Sequence, residues 1–204
     1  MGAYIMQDKV EALQKLRAQV EDSYFAHCVL IRKYATNMVF GNGDVDASLM
    51  IIGEAPGADE DQYGVPFCGR SGRLLNEVLS DVGQPREKCY VTNSVFWRPP
   101  NNRRPTQGEI DDCAPYLAEQ IKLINPKAIL LLGKTAVTAL LGVGHDETMA
   151  SLRRRKFTYN NSGIDMTGRA VDSVPVYITY HPAYILRSPY KRVDMVNDIK
   201  SIAL

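Results

Sequence analysis

In SLMIIGEAPGADEDQYGVPFCGRSGRLLNEVL (residues 48–79), an apolar run is followed by a loop and then by a segment with periodic apolar residues. Its first five residues predict a buried strand, and segment 73–82 predicts a helix with its leucines on one side. The loop between them contains several acids and also Phe67, although a phenylalanine in a loop usually packs against something. We therefore interpret this loop as one wall of a pocket.

The rest of the chain alternates between predicted strands and predicted helices. Further strands are expected at CYVTNSVF (89–96), AILLL (128–132) and VPVYITY (174–180), and further helices at 10–24, 106–124, 134–142 and 192–204. Such alternation predicts an α/β fold whose mostly parallel sheet has helices on both faces. Segment 153–172 predicts a hairpin or a ragged loop. We expect one domain over 1–204, with an N-terminal helix in 1–27 packed on it.

Composition and charge narrow the class of protein. The chain has 204 residues, 45% of them hydrophobic and 23% charged, and no apolar run approaches the roughly 18 residues of a membrane span. Its start does not resemble a secretory signal, so we expect a cytoplasmic protein. The net charge is only +1, but basic residues gather in 97–105, 152–157 and 186–192. These groups are either solvated surface or contacts to a few phosphates.

Three residues are unusual for their predicted places near the carboxyl ends of strands, where open α/β sheets bind ligands. Asn93 lies in a β-branched strand, where it either satisfies its own backbone or reads the edge of a base. His181 precedes a proline at the end of the last strand and is either structural or chemical. Phe67 either packs in a small satellite core or stacks on a planar ligand.

The order of several motifs carries a family resemblance. GEAPGADED followed by G-x-PF-x-GR-x-G, then VTN with RPPNNRRPT, then LLLGKTA, then HPAYILR resembles the family 4 uracil-DNA glycosylases of the uracil-DNA glycosylase superfamily. The resemblance runs from about Phe25 to the C-terminus. It implies a single three-layer α/β/α domain with a central, mostly parallel four-stranded sheet. It also implies an enzyme that hydrolyses the N-glycosidic bond of uracil in DNA and leaves an abasic site during base excision repair.

The resemblance implies a role for each unusual residue. Phe67 corresponds to the aromatic ring that stacks on the extruded uracil, Asn93 to the amide that reads the pyrimidine edge, and His181 to the donor at uracil O2. Glu54 and Glu60 correspond to the two loop glutamates of the pocket. We favour Glu54 for orienting water and Glu60 for the C5 edge, although the two roles could be exchanged. Gly53 and Ala55 are the remaining expected substrate-binding residues, and Ala55 stands where the family 1 motif has an aspartate.

The same resemblance implies a DNA-binding surface. Pro182 and the residues after it match the loop that the family inserts into the minor groove, where Ile185 or Leu186 could fill the gap left by the flipped base. Arg187 and Lys191 are expected to hold phosphates. Arg98 and Arg103, in the first basic group, are further candidates for contact with DNA.

A cofactor is expected to be absent. Family 4 members usually hold a [4Fe–4S] cluster on four cysteines, and this chain aligns Phe25 and Trp97 with two of those positions. Cys28 and Cys113 keep the other two, and two thiolates are too few for the usual site. Large aromatic rings could fill the vacated volume. His27 as a substitute ligand is less favoured.

Alternatives remain open from the sequence. The chain could be a glycosylase for another modified base, or a catalytically weak DNA-binding member of the superfamily. A nucleotide-binding α/β protein is disfavoured because G-x-G-x-x-G and Walker-type loops are missing from the sequence. The expected partner is uracil-containing DNA, single- or double-stranded, with free uracil as product, no membrane, and a monomeric state.

Overall fold

Across the part of the chain that the structure describes, six strands form one central sheet. The structure is a computed structural model, and it describes residues 2–23, 30–144, 146–160 and 173–203. The strands are β1 (Asn42–Gly43), β2 (Leu49–Gly53), β3 (Cys89–Asn93), β4 (Ala128–Leu132), β5 (Phe157–Tyr159) and β6 (Val174–Thr179). They lie in the order β1-β3-β2-β4-β6-β5. The four inner strands run parallel, and each edge strand is antiparallel to its neighbour.

The predicted four strands are the inner, parallel ones, and the predicted strand count is corrected to six for the described residues. Strand β1 escaped prediction because its two residues, Asn and Gly, are depleted in strands. Strand β5 falls in the segment predicted as a hairpin or ragged loop, and it pairs with β6 as one arm of a hairpin. Residues 161–172, which join the two arms, lie outside the described residues.

The helices cover both faces of the sheet. They are α1 (Gly2–Glu21), α2 (Ala58–Tyr63), α3 (Arg70–Asp81), α4 (Gln107–Ile124), α5 (Lys134–Leu141), α6 (Met149–Leu152), α7 (Pro182–Arg187) and α8 (Arg192–Lys200). Short 3₁₀ turns occur at Arg86–Lys88, Pro100–Asn102 and Pro189–Lys191.

Strand β2 shows how the two cores are divided, because successive side chains of a strand point to opposite faces. Met50 and Ile52 join a core cluster with α1, α4 and α5, whereas Leu49 and Ile51 join a second cluster with α3, α7 and α8. All five residues of β2 are buried, as expected of a parallel strand covered on both sides. The three-layer α/β/α architecture is therefore confirmed.

Two local predictions about helices can be compared with the structure. Helix α4 begins with the capping box that the three-residue spacing of Thr106 and Glu109 in the sequence predicts: Thr106 accepts the Glu109 amide, and the Glu109 carboxylate accepts the Thr106 amide. Helix α1 packs against α4 through Leu13, Leu16 and Val20, which lie in the first core cluster.

The single-domain organisation of 1–204 stays a prediction. Among the described helices, none has the length and apolar character that a membrane crossing requires.

Candidate active site

A cleft of about 570 Å³ opens where the parallel strands β2, β3 and β6 end. Its lining includes the sequence-predicted residues Glu54, Ala55, Glu60, Phe67, Asn93, Arg103, His181 and Arg187. Residues far apart in the chain meet here because parallel strands deliver their carboxyl ends to one edge of the sheet. Gly53 pairs with Asn93 across β2 and β3, directly beside the cleft.

Gly53 has to be a glycine because two predicted substrate-binding side chains converge on it. A Cβ added to Gly53 would lie 2.4 Å from Asn93 Oδ1 and 2.5 Å from Phe67 Cζ. Any side chain at Gly53 would therefore displace the amide or the ring. The contact brings the aromatic plane and the amide to one wall of the cleft.

Asn93 has an oxygen that is ready for a ligand. The residue is 1% exposed, and its Oδ1 has no hydrogen-bond partner among the described residues. A buried polar atom without a partner costs free energy, so native structures rarely keep one without a reason. Because Asn93 lines the cleft, a ligand N–H entering it can satisfy this oxygen.

Phe67 is held in an unusual backbone conformation. Its φ of 53° is left-handed, which costs free energy for a residue with a side chain. The ring is 6% exposed, and its centroid lies 5.7 Å from that of His181. Helix α3 presses against the Phe67 backbone, since a Cβ on Gly72 would lie 1.7 Å from the Phe67 carbonyl oxygen. Glycine at position 72 is thus a requirement of the loop.

His181 caps α7 and presents one nitrogen to the cleft. Its Nδ1 accepts the Ala183 N–H at 3.2 Å, so in the neutral imidazole Nε2 carries the proton. Burial, assisted by the positive charge of Arg187, lowers the pKa of His181 from 6.5 to about 4. The ring is therefore a neutral donor at neutral pH. Gly133, with a φ of +85°, lets the chain approach closely, because a Cβ there would lie 3.0 Å from His181 Cβ.

The two loop glutamates have different partners. Glu60 Oε2 accepts the Gly57 amide and Oε1 accepts the Gly69 amide, both at 3.0 Å, so its carboxylate ties the two ends of the loop together. Glu54 follows β2 directly, and its Oε2 accepts a hydrogen bond from the Thr135 hydroxyl. Glu54 therefore retains an oxygen for a ligand or a water in the cleft.

Comparison with known proteins identifies the family. The model of the uracil DNA glycosylase superfamily matches residues 40–201. A Type-4 uracil-DNA glycosylase of Pyrobaculum aerophilum is 40% identical over 188 residues, which are 92% of this chain and 91% of that protein. Its counterpart in Archaeoglobus fulgidus is 37% identical over 172 residues, 84% and 83% of the two chains. The Type-4 uracil-DNA glycosylase of Thermotoga maritima is 40% identical over 153 residues, 75% and 73% of the two chains.

The chain belongs to the uracil-DNA glycosylase superfamily. Its resemblance to the type-4 family, predicted from the order of short motifs, is confirmed over most of its length. The motifs GEAPG, VTN, LGKTA and HPAY all lie at the carboxyl edge of the sheet, next to the cleft.

Two arginines that were predicted to bind DNA make polar contacts with other residues of this chain. Arg103 forms a two-pronged ion pair with Glu109, at 2.9 and 2.6 Å. Arg98 donates to Asn102 Oδ1 at 2.7 Å and lies 3.9 Å from Asp61. These contacts shape the loop after β3 and neutralise part of its charge.

The residues of helix α7 that were predicted to enter the minor groove differ in their exposure to solvent. Ile185 is 2% exposed and packs in the second core cluster, so its predicted insertion into DNA is corrected: it is not accessible. Leu186 is 39% exposed, and Arg187 is exposed beside the cleft. Pro182 is buried at the first position of the helix. Lys191, in the following turn, pairs with Asp194 at 2.9 Å.

The described residues do not fit the four-cysteine cluster that is usual in the type-4 family. Trp97 is 4% exposed and packs edge-on against Phe96, with the Arg32 guanidinium 5.5 Å from its ring. An indole offers only an N–H donor, so it cannot ligate iron. Cys113 is buried in the first core cluster, whereas Cys89 belongs to the second core cluster, on the opposite face of the sheet. The other two aligned positions, Phe25 and Cys28, and also His27, lie outside the described residues.

Two residues that support the site, Thr135 and Arg86, are not predicted from the sequence. Thr135, which donates to Glu54, is buried near the start of α5. It comes shortly after the carboxyl end of β4, and ligands bind at the carboxyl ends of parallel strands. Arg86 lies in the 3₁₀ turn that follows α3 in the chain, and it donates a hydrogen bond of 2.6 Å to the carbonyl of Pro66, which precedes α3. The LGKTA motif is a sequence signal for Thr135, whereas the local sequence around Arg86 contains no comparable signal.

Proposed function

We propose that this protein is a uracil-DNA glycosylase, which hydrolyses the bond between uracil and deoxyribose and leaves an abasic site and free uracil. One observation carries the proposal: the buried Oδ1 of Asn93, which has no partner within the described ranges, lines the same cleft as the Phe67 ring and the neutral imidazole of His181. A planar base with adjacent N–H and carbonyl groups is the ligand that this combination suits. The names of the type-4 relatives support the same substrate.

Binding begins with removal of the nucleotide from the helix, because the reacting carbon cannot be reached in stacked DNA. The extruded uracil stacks on Phe67, and Asn93 Oδ1 accepts its N3–H while the amide nitrogen donates to O4. Gly53 and Ala55 leave room for the ring, since neither has a side chain beyond Cβ. Cytosine has no proton on N3, so it would leave the Asn93 oxygen unsatisfied.

Cleavage follows from stabilisation of the leaving group. As the bond from C1′ to N1 breaks, its electron pair moves to uracil and gathers partly on O2, while the sugar becomes cationic. The Nε2–H of His181 donates to O2 and stabilises this charge more in the transition state than in the ground state. A neutral donor suits a closed pocket, where an imidazolium would be costly to desolvate.

Water completes the hydrolysis. Glu54, held by Thr135, orients a water against C1′ and accepts its proton as the oxygen bonds to the sugar. Its negative charge also favours the cationic sugar. Glu60 acts beside it by fixing the loop near the C5 edge, where a methyl group would be excluded. In this chain Ala55 stands where family 1 has an aspartate, so Glu54 is the nearest carboxylate in the motif.

DNA contacts surround the cleft. Leu186, the accessible member of the predicted pair, fills the space left by the flipped nucleotide. Arg187 binds a phosphate beside it, with weaker contributions from Lys191, Arg98 and Arg103, whose charges are partly neutralised by carboxylates. The enzyme acts as a monomer in the cytoplasm.

The enzyme works without an iron–sulfur cluster, because Trp97 fills one ligand position with a buried ring. Anaerobic purification followed by iron and acid-labile sulfide assays tests this: less than one iron per chain is expected. Stoichiometric iron with visible absorbance would overturn it.

An oligonucleotide assay tests the function. Single- and double-stranded substrates carrying U, T or hypoxanthine at one position are compared, and we expect alkali-labile product from U alone. His181→Ala should slow cleavage more than it weakens binding, because its bond strengthens in the transition state. Asn93→Ala should weaken binding of the oligonucleotide and also slow its cleavage. Product from hypoxanthine but not U would favour another base, and tight binding without product would favour a DNA-binding role.

A further inference from the structure

The strained conformation of Phe67 needs a cause elsewhere in the molecule. A left-handed phenylalanine persists only where its surroundings over-determine it. Two of its restraints lie on the side that follows it: Glu60 holds the Gly69 amide, and Gly72 packs against the Phe67 carbonyl. A restraint on the preceding side is needed to fix the angle φ of Phe67 itself.

Arg86 supplies that restraint. Its Nη2 donates to the carbonyl oxygen of Pro66 at 2.6 Å. This carbonyl belongs to the peptide plane that precedes Phe67, so rotating Phe67 to a negative φ would swing the plane relative to the guanidinium. A charged donor makes a stronger hydrogen bond than a neutral one. Arg86 therefore acts on the strained φ torsion of Phe67.

The environment of Arg86 is costly for an arginine. Its Nη1 is buried and has no hydrogen-bond partner among the described residues. Burial lowers the pKa of Arg86, although an arginine remains charged at any working pH. A side chain with only a packing role would be cheaper as a methionine or leucine. Within the described parts of the chain, the hydrogen bond to the Pro66 carbonyl is the strong bond of this guanidinium, with the negative charge of Glu60 acting on it as well, and this bond accounts for an arginine here.

We propose that Arg86 is a positioning residue that locks Phe67 in its left-handed conformation and so holds the aromatic platform against the base. The inference rests on the proposed function only in naming uracil as the base. Arg86 acts through the loop, since it is not among the residues that line the cleft. Its effect on the reaction is therefore indirect and passes through Phe67.

A double-mutant cycle tests the coupling. Arg86→Met keeps the side-chain length without the donor, and it should lower kcat/KM for a single-stranded uracil oligonucleotide about tenfold, a change equal to about 1.4 kcal/mol. Arg86→Lys should retain more activity because an ammonium can still donate to Pro66. In a Phe67→Ala background Arg86→Met should cost little more, because the ring it positions is gone. Additive losses would overturn the proposal.

Hydrogen exchange provides a readout that does not depend on turnover. The amides of segment 67–72 should exchange faster in Arg86→Met, whereas Arg17→Met, at an exposed arginine of α1, should leave them unchanged. Unchanged exchange in Arg86→Met would also overturn the proposal. If Arg86→Met does not fold, Arg86→Gln, whose shorter and uncharged side chain does not reach Pro66, undergoes the same measurements with the same expected results. A wild-type protein that releases no uracil would refute the proposed function, while the exchange result would still decide the role of Arg86.

Discussion

Glu54 and Glu60 follow β2 closely in the chain, but their carboxylates differ in how many of their oxygens accept hydrogen bonds. Glu60 uses both oxygens on backbone amides, so its contribution is to shape the loop. Glu54 has one oxygen bound by Thr135 and faces the cleft. The sequence left their roles exchangeable. Their hydrogen-bond partners now favour Glu54 as the residue that orients water.

The hydroxyl of Thr135 should matter to catalysis although Thr135 is not among the residues that line the cleft. Thr135→Val is nearly isosteric but cannot donate to Glu54, and we expect a loss in the cleavage rate of about tenfold, because misorientation of a reacting group is costly. Thr135→Ser should keep most of the rate. Single-turnover cleavage with enzyme in excess measures the effect. A Thr135→Val enzyme as fast as wild type would contradict the assignment.

The protonation of His181 predicts a dependence of stability on pH. Its pKa is about 4 in the folded protein and near 6.5 in the unfolded chain, so the unfolded chain binds the extra proton between these values. The contribution of His181 to the free energy of unfolding is therefore complete above about pH 6.5 and is lost as the pH falls toward 4. An NMR titration of the His181 ring should give a midpoint near 4. A midpoint near 6.5 would contradict a neutral, desolvated ring.

At the scale of elements, helix α3 and the loop before it form one unit. Gly72 in the first turn of α3 contacts the backbone of Phe67, and the carbonyl there has no room for a Cβ. The loop therefore takes its shape from the helix as well as from its own sequence. This close contact explains why a flexible residue stands inside an otherwise amphipathic helix.

Gly72→Ala should disturb this unit. Although alanine favours helices, its Cβ would overlap the Phe67 carbonyl, and overpacking of this kind costs about 1–3 kcal/mol. We expect a lower urea midpoint and an activity loss of at least about tenfold, as the aromatic ring moves. Ser80→Ala, on an exposed position of the same helix, is the control. Equal stability and activity of the two variants would show that the backbone contact is not restrictive.

At the scale of the whole molecule, an ion-pair network joins the last helix to the sheet. Arg153 donates to both oxygens of Asp198, at 2.6 and 2.9 Å, and its guanidinium lies 4.5 Å from the centre of the Tyr180 ring. Thr179 donates to the same carboxylate at 2.6 Å. Because Thr179 and Tyr180 immediately precede His181, the network links α8 to the segment that carries the proposed donor.

Removal of one partner should destabilise the protein more than removal of both. Arg153→Met leaves the Asp198 charge largely buried and unpaired, for an expected loss of about 2–4 kcal/mol in the free energy of unfolding. The double variant with Asp198→Leu should recover part of it. Urea denaturation of the three proteins gives the coupling energy. Additive losses in the double variant would mean that the two side chains do not interact.

The predictions from sequence succeeded where a local pattern was sufficient. Strands β2 and β4 are continuous apolar runs, β3 and β6 are rich in β-branched and aromatic residues, and the Thr106 capping box is a signature of four residues. Strand β1 has no such pattern, since it is two residues that pair only because β3 is beside them. Likewise, Ile185 and Leu186 are adjacent apolar residues of similar size. Only packing against the second core cluster shows that Leu186 is the accessible one.

Local sequence patterns are sufficient to predict the α/β class, the alternation of strands and helices, and the motifs that bring Asn93, Phe67 and His181 to one edge of the sheet. These follow from apolar periodicity and chain order, which are local properties. The tertiary structure alone decided which oxygens are occupied, which apolar side chain is exposed, and that Arg86 reaches Pro66. These depend on contacts between distant segments, and burial and hydrogen-bond partners exist only once the chain has folded.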